Sequence, residues 1–398
     1  MTYQLKNKDK VILEFEVEIK ENSIFDNISY EQKIENVSIY DENLPITINK
    51  NDLNNSLRSW IDKRKIPSSR EFAEKIVATY SSGKGINFMD YIGVSLGLSL
   101  NDTFWIVLAD SKYKWSDYNL YKNKFDEALS LVAFSGVSHK VSGFTSSPEY
   151  TTNGMLKKCW HRDGDNIYLF KGSMRGFANW GKEPYCEFYM AQIADILGLE
   201  HIAYDLKEFH GQIVSSCKIF TSEKEGYMPI FYLLLEDEKK YKGASLINAV
   251  SKIYSEERLR DLLMFDSIIY NIDRHLGNFG MIIDNDTLMP LRPAPIFDNG
   301  FSIINMLTKD ELLNINEALK TTTSYFDIKF DEQLRLAVDE RHLEGLEKLG
   351  NFEFEKHPKF NLSDEWLEPI QNHIKDRAKF AIKLYDNQKN SNKINKHK

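Results

Sequence analysis

The feature that most constrains the fold is a change in the predicted secondary structure along the chain, from short strands with tight turns to helices. Between residues 136 and 222, the turn HRDGDN separates KKCW from IYLFKG, and His210-Gly211 separates two further strand-like segments. Gly and Asn tolerate a positive φ, so both turns favour antiparallel hairpins. A predicted helix from about Pro184 to Gly198 interrupts the strands, and helices dominate beyond residue 222. The pattern predicts an α+β fold.

Changes in predicted secondary structure and in composition divide the chain into four expected segments. They are an amino-terminal accessory domain (1–135), a strand-rich segment (136–222), a helical segment (223–385) and a disordered tail (386–398). The accessory domain is expected to contain a strand from Val11 to Val17 and a helix around Trp60, from the spacing of their apolar residues. The tail is polar and basic and has nothing to bury.

Composition excludes several classes of protein. The formal net charge is −8, the wrong sign for a chain whose whole surface binds nucleic acid, so no direct nucleic-acid contact is expected. The 3 cysteines are widely spaced and lack a C-x-x-C pair, which argues against a disulfide scaffold or a zinc site. No stretch approaches the roughly 20 apolar residues of a membrane span. These features predict a cytoplasmic protein.

Three side chains that offer oxygen atoms as ligands occur in an order that suits phosphoryl transfer. Asp273 and Asn278 lie in the segment NIDRHLGN, and Asp298 follows at the end of a predicted strand. A carboxylate such as Asp273 can accept the proton of an attacking hydroxyl, whereas Asn278 and Asp298 offer the hard oxygen ligands that Mg²⁺ prefers. His275 either braces the loop or contacts phosphate. Arg274 is expected to be a solvated surface charge outside the site.

A cation and a carboxylate lie upstream of this set. Lys171 ends the apolar strand IYLF, and Glu187 lies in the first turns of the following helix. In protein kinases a strand lysine and a helix glutamate form an ion pair beside the nucleotide phosphates. Each residue also has an ordinary alternative, since lysines snorkel at strand ends and glutamates are favoured near helix N-termini.

The segment from Gly143 to Lys158 carries small hydroxyl residues and Gly154 between two strands. It contains neither G-x-x-x-x-G-K-S/T nor G-x-G-x-x-G, so neither a P-loop nor a Rossmann nucleotide site is predicted. Its backbone N–H groups suit a phosphate. An ordinary polar surface loop is the alternative.

Together these segments resemble the HipA-like serine/threonine kinases, whose core is similar to phosphatidylinositol 3- and 4-kinases. The resemblance covers roughly residues 136–385 and rests on the order and spacing of TTNGMLKKCW, YLFKG, SSCKIFT, NIDRHLGNF and IFDNG. It implies a two-lobed kinase core behind the accessory domain, with residues 136–222 in the first lobe and residues 223–385 in the second.

The resemblance also implies roles for single residues. Asp273 corresponds to the catalytic aspartate, and Asn278 and Asp298 to the magnesium ligands. The residues implied at the nucleotide are Lys171 on its phosphates, Gly154 and Lys158 in a phosphate loop, Glu187 as the partner of Lys171, and Lys218 to Phe220 in the hinge beside adenine. A loop hydroxyl is implied to be autophosphorylated, Thr151 first, with Ser146, Ser147 and Thr152 as neighbours.

The implied activity is ATP- and magnesium-dependent phosphorylation of Ser or Thr on a protein substrate. Many HipA-like kinases are toxins held by a DNA-binding antitoxin, so the resemblance extends to a toxin role with an antitoxin partner. Two alternatives remain open. One is a phosphoinositide or small-molecule kinase with the same phosphate machinery, and the other is a nucleotide-binding regulatory module without catalysis.

Overall fold

The computed structural model describes residues 1–24, 27–79, 88–137, 140, 145–174 and 181–396. Gly143 lies outside these residues, so the described part of the expected phosphate loop is residues 145–158, named the 145–158 loop. Two compact units divide the chain. The first comprises Met1–Lys171, Ile219–Tyr227 and Ile282–Leu291, and the second comprises Gly172–Lys218, Met228–Met281 and Arg292–Lys398.

Strands occur along residues 2–293, and the described residues after β11 form helices and connecting segments. The strands are β1 (Thr2–Asn7), β2 (Lys10–Ile24), β3 (Asn27–Ile39), β4 (Phe104–Leu108), β5 (Lys158–Asp163), β6 (Asn166–Lys171), β7 (Tyr204–Phe209), β8 (Gln212–Lys218), β9 (Glu225–Pro229), β10 (Gly280–Asp284) and β11 (Pro290–Pro293). The helices are α1 (Leu53–Lys63), α2 (Ala73–Ala78), α3 (Phe88–Ser95), α4 (Trp115–Tyr118), α5 (Glu127–Ser135), α6 (Glu183–Ile196), α7 (Gly243–Ser251), α8 (Glu256–Ile269), α9 (Ile303–Met306), α10 (Ile315–Leu319), α11 (Phe330–Ala337), α12 (Leu343–Leu349) and α13 (Asp364–Lys396).

An antiparallel sheet in the strand order β3-β2-β1-β4 forms part of the first unit. Leu5 in β1 pairs with Leu13 in β2 on one side and with Ile106 in β4 on the other, and all three are buried. Along β2, Phe15 is buried and Glu16 is exposed, the period of two that a half-buried strand requires. The predicted strand in this segment is therefore confirmed. The helix predicted around Trp60 is also confirmed, as α1.

The hairpin β5–β6 brings two lysines together. Strand β5 ends at Asp163 and strand β6 begins at Asn166, so the turn is shorter than the predicted HRDGDN. Gly164 in this turn has φ +56°. In this register Lys158 pairs with Lys171, and both side chains are buried. Directly opposite residues of an antiparallel pair lie on the same face, so the two lysines are neighbours.

In the second unit, α6 and the hairpin β7–β8 form as predicted. Pro184 lies in the first turn of α6, and Gly198 follows the helix with φ +69°. His210 and Gly211 both have a positive φ and close the β7–β8 hairpin. The helix α8 ends at Ile269 and is followed by Tyr270, which has φ +54°. Residues 271–278 come next and are called the 271–278 loop.

The carboxyl-terminal segment differs from expectation, because α13 continues to Lys396 through most of the predicted disordered tail. No Gly or Pro interrupts this stretch. Gln388 donates a hydrogen bond to the carbonyl of Arg335 at 2.7 Å, and Lys389 lies 3.7 Å from a carboxylate oxygen of Glu340. These contacts give the polar tail partners that its composition does not reveal.

The two units do not divide the chain at residues 135 and 222. Residues 1–135 share the first unit with the 145–158 loop and the β5–β6 hairpin, and the chain crosses between units at Lys171, at Lys218 and within β9, β10 and β11. The division into an accessory domain and two kinase lobes stays a prediction. None of the helices in the described ranges is long and apolar enough to cross a membrane.

Candidate active site

The 271–278 loop is held in shape by its own side chains. Asn271 accepts a hydrogen bond from the backbone N–H of Asp273 at 3.1 Å, and the Asn278 amide nitrogen donates to the carbonyl of Asp273 at 2.8 Å. Because the Asn278 nitrogen is used in this way, its Oδ1 is the atom left to serve as a ligand. Asp273 is half-buried and Asn278 is buried.

Asp298 lies at a strained turn beside this loop. Its φ is +59°, a conformation that few residues other than Gly, Asn and Asp adopt. Its backbone N–H donates to the Tyr204 hydroxyl at 3.1 Å, and its carbonyl accepts from the Asn271 amide nitrogen at 3.3 Å. Burial raises the pKa of Tyr204, so the hydroxyl keeps its proton. Asn271 therefore links the loop that carries Asp273 to the turn that carries Asp298.

Glu187 is buried in α6 and accepts a hydrogen bond from the backbone N–H of Asn299 at 2.9 Å. The carboxylate therefore holds the residue next to Asp298 within the second unit. Lys171, its expected ion-pair partner, belongs to the first unit. Their ion pair stays a prediction.

The expectation that Arg274 is a solvated surface charge is wrong. Its side chain is 1% exposed and forms two hydrogen bonds of 3.0 Å with Asp266. It also donates to the carbonyl of Asn278 at 3.1 Å, to Asn299 Oδ1 at 2.8 Å and to the carbonyl of Phe297. The physical reason is that the fixed fork of guanidinium donors meets several acceptors here, which repays the cost of burial.

Arg274 thus ties α8, the 271–278 loop and the Asp298 turn together. Burial alone would lower the pKa of Arg274, but the charge and hydrogen bonds of Asp266 hold that pKa above its ordinary value. One sequence signal for this pair was present, since Asp266 interrupts the apolar run LLMFDSII of α8. A carboxylate on the buried side of a helix requires a cation or donors nearby.

His275 has contacts typical of a brace. Its backbone N–H donates to the carbonyl of Asp273 at 2.8 Å, and its Nδ1 accepts from the N–H of Gly277 at 3.0 Å. When the ring is neutral its proton is therefore on Nε2. The ring of Tyr325 lies 6.3 Å from the His275 ring, and Lys242 Nζ lies 5.0 Å from the centroid of Tyr325. Sequence analysis missed Tyr325 and Lys242, because no local pattern links them to the loop.

The 145–158 loop in the first unit contains a short 3-10 helix, a glycine with a positive φ and a buried lysine, and its role as a phosphate loop stays a prediction. Ser147 caps the short 3-10 helix Pro148–Tyr150, and the buried Thr151 hydroxyl donates to the carbonyl of Pro148 at 3.2 Å. Gly154 has φ +96°, and a Cβ at this position would overlap Nζ of Lys158. A glycine is therefore required for the ammonium to lie against the backbone. Lys158 and its neighbour Lys171 concentrate positive charge that suits a chain of phosphates.

The expected hinge residues lie where the chain passes between the two units. Lys218 ends β8 in the second unit and is exposed, whereas the next residue begins a segment of the first unit. Phe220 is half-buried, with its ring 5.5 Å from that of Tyr227. The adenine contacts of Lys218 and Phe220 stay a prediction.

Asn278 and Asp298 offer the amide and carboxylate oxygens that suit Mg²⁺. They belong to one unit, and the hydrogen bonds of Asn271 and Arg274 connect the backbone segments that carry them. The residues present therefore fit a magnesium ion that is shared with a phosphate ligand.

Comparison with known proteins supports the family resemblance. No protein-family model matches the chain. The serine/threonine-protein kinase CtkA of Helicobacter pylori is 26% identical over 149 residues, which are 33% of this chain and 46% of that kinase. The chain thus spans less than half the length of this curated relative.

Two solved structures are also similar. The crystal structure of CtkA, described as a proinflammatory kinase, has a TM-score of 0.48 at 19% identity and covers 60% of this chain and 93% of its own. A chain from the Shewanella oneidensis complex of HipA, HipB and operator DNA has a TM-score of 0.50 at 12% identity and covers 96% of this chain and 99% of its own. The likeness to the HipA chain confirms the predicted α+β, HipA-like fold, and the chain resembles the HipA-like serine/threonine kinases.

Proposed function

We propose that the chain is an ATP- and magnesium-dependent serine/threonine protein kinase of the HipA-like type. The observation that carries this proposal is the hydrogen-bond network of Asn271 and Arg274, which joins the segments bearing Asp273, Asn278 and Asp298. Phosphoryl transfer depends on the positioning of charged groups more than on covalent chemistry, so a rigid arrangement of these oxygens is what the reaction requires.

Asp273 is the residue assigned to the acceptor hydroxyl. Its carboxylate orients the Ser or Thr hydroxyl and accepts the proton as the oxygen attacks the γ-phosphorus of ATP. The bond between the γ-phosphorus and the bridging oxygen breaks, and ADP leaves. Asn278 and Asp298 would hold a magnesium ion, which would supply positive charge to the phosphate oxygens. Lys158 and Lys171 are assigned to the nucleotide phosphates.

Autophosphorylation of the 145–158 loop is part of the proposal. Thr151 is buried and hydrogen-bonded to the carbonyl of Pro148 in the docked loop. A phosphate adds about −1.5 to −2 charges and three acceptor oxygens, which a buried position next to the nucleotide site does not accommodate. The modified loop therefore leaves its docked position and the enzyme is switched off.

The proposal includes an antitoxin partner, by analogy with HipA. HipA of Shewanella oneidensis occurs in a complex with HipB and operator DNA. For this chain, DNA contact would come through such a partner, since the net charge is −8. Growth arrest on expression of the wild type, and normal growth with Asp273→Asn, is the result expected of a toxin whose action requires phosphoryl transfer.

The experiment that tests the activity is incubation with γ-labelled ATP and magnesium, alone and with a cell lysate, followed by mass spectrometry. Labelled Ser or Thr on proteins supports the proposal. Label found only in phosphoinositides or small molecules would favour the lipid or small-molecule kinase. Nucleotide binding without transfer to any acceptor would favour the regulatory module.

A further inference from the structure

A fully buried ion pair joins residues 1–135 to the 145–158 loop. Arg70 precedes α2, and Glu149 lies in the 3-10 helix Pro148–Tyr150 of the loop. The two charged ends are 3.1 Å apart, and both side chains are 0% exposed. Neither residue was singled out by the sequence, because each is an ordinary charged residue in a polar segment.

The pair forms hydrogen bonds with backbone groups in the middle of the loop and at its junction with β5. Glu149 Oε1 accepts from the backbone N–H of Trp160 in β5 at 2.7 Å. Arg70 Nη1 donates to the carbonyl of Thr152 at 3.1 Å, and Nη2 donates to the carbonyl of Lys158. These bonds fix the middle of the loop and its junction with β5, where Lys158 begins the strand.

Neighbouring residues of the same region hold the rest of the loop. The backbone N–H of Glu71 donates to the carbonyl of Met155 at 2.9 Å, and that of Asp126 donates to the carbonyl of Ser146 at 2.8 Å. The hydroxyls of Thr79 and Tyr150 lie 3.1 Å apart. The loop therefore packs against residues 1–135 over its length.

A buried pair of this kind is a costly way to gain stability alone. Burial raises the pKa of Glu149 and lowers the pKa of Arg70, while the attraction between the two charges opposes both shifts. Well-packed apolar residues of similar volume often stabilise a fold as well or better. What apolar residues cannot supply is a set of directed hydrogen bonds to specific backbone carbonyls and amides.

We propose that Arg70 and Glu149 are positioning residues that set the conformation of the 145–158 loop for nucleotide binding, so that residues 1–135 form an integral part of the nucleotide site. This inference rests on the proposed function, because it takes the loop to bind ATP phosphates. Neither side chain needs to touch the nucleotide; both act through the backbone of the loop.

The test compares Arg70→Met, Glu149→Gln and the double variant Arg70→Met/Glu149→Met in the full chain. The double variant leaves no unpaired buried charge, so it separates loop geometry from simple destabilisation. Arg64→Met is the matched control, since Arg64 is also a buried arginine of the first unit but pairs with Asp102. The measurements are ATP affinity without acceptor, KM for ATP, kcat and hydrogen exchange of the loop amides, all below the melting transition of every variant.

We expect the Arg70 and double variants to lose ATP affinity about ten- to a hundredfold, the effect typical of misplaced binding groups. Exchange should accelerate in the 145–158 loop in these variants but not in Arg64→Met. A double variant that binds ATP as tightly as the wild type, with protected loop amides, would overturn the inference. A wild type that binds no nucleotide would overturn the proposed function instead, and loop exchange in the variants would still decide whether the pair holds the loop.

Discussion

Glu187 accepts a hydrogen bond from the backbone N–H of Asn299 at 2.9 Å, and both residues are buried. This contact joins the helix α6 directly to the turn at Asp298. The carboxylate therefore has a role inside the second unit, in addition to its proposed ion pair with Lys171. If Asp298 binds magnesium as proposed, the position of Glu187 is coupled to the position of a metal ligand.

This contact makes Glu187→Ala and Glu187→Gln informative as a pair. Alanine leaves the buried N–H of Asn299 without an acceptor, which costs about 1–3 kcal/mol, and loosens the Asp298 turn. Glutamine keeps an acceptor oxygen. We expect the magnesium concentration for half-maximal activity to rise more in Glu187→Ala than in Glu187→Gln, by titration of magnesium at saturating ATP. Equal magnesium requirements in the two variants would contradict the positioning role.

Arg274→Met should unfold the site as well as inactivate it. The change leaves Asp266 as an unpaired buried charge, for which the expected loss of unfolding free energy is about 3–5 kcal/mol. Denaturant unfolding measures this loss. Arg260→Met on the same helix is the control, because Arg260 is only partly buried and its hydrogen bonds go to Glu256 and the carbonyl of Leu336. Equal stability of the two variants would contradict the structural role of Arg274.

Phosphorylation of the 145–158 loop should weaken ATP binding. Thr151 is buried and its hydroxyl donates to the carbonyl of Pro148, so a phosphate would break this contact, and its negative charge would repel the phosphates of the nucleotide. We expect the phosphorylated protein to bind ATP at least about tenfold more weakly, a change of about 1.4 kcal/mol. Thr151→Ala, with Ser146, Ser147 and Thr152 changed in turn, identifies the hydroxyl by phosphosite mapping. Unchanged ATP affinity after complete modification would eliminate the switch.

We expect the buried side chain of His373 to make the protein less stable in mild acid. Burial lowers its pKa from 6.5 to about 4, and the charge of Arg377 contributes. The unfolded chain takes up a proton below pH 6.5 that the folded chain refuses, so stability present above this pH is lost as the pH falls towards 4. The free energy of unfolding should fall by up to about 1.4 kcal/mol for each pH unit in this range. Denaturant unfolding of His373→Leu across this range should show a flatter pH dependence than the wild type.

Local chemistry explains which features the sequence could predict. The hairpin turns at Gly164 and at His210-Gly211 need a positive φ, and the apolar spacing of α6 and α8 is intrinsic to those segments. The order of Asp273, Asn278 and Asp298 predicted a site for phosphoryl transfer, because these side chains offer oxygen atoms as ligands. The roles of the three residues stay predictions. Each of these inferences depended on residues within one segment or on the order of two nearby segments.

The contacts that the sequence did not reveal join distant segments. Arg274 was misjudged because its acceptors on Asp266 and Asn299 come together only in the folded second unit. Arg70 and Glu149 are 79 positions apart, and nothing in either segment predicts their pairing. Charged residues are usually solvated, so the burial of a pair becomes visible only when both partners are placed.

The most direct test of the central claim is the rate of phosphoryl transfer from γ-labelled ATP by Asp273→Asn beside the wild type. Asparagine keeps the volume of the side chain but removes the carboxylate that is proposed to accept the hydroxyl proton. We predict a loss of about 10²–10⁴-fold in transfer rate, with unchanged melting and ATP affinity. A variant that melts normally and transfers phosphate at close to the wild-type rate would contradict the assignment of Asp273 and the kinase mechanism built on it.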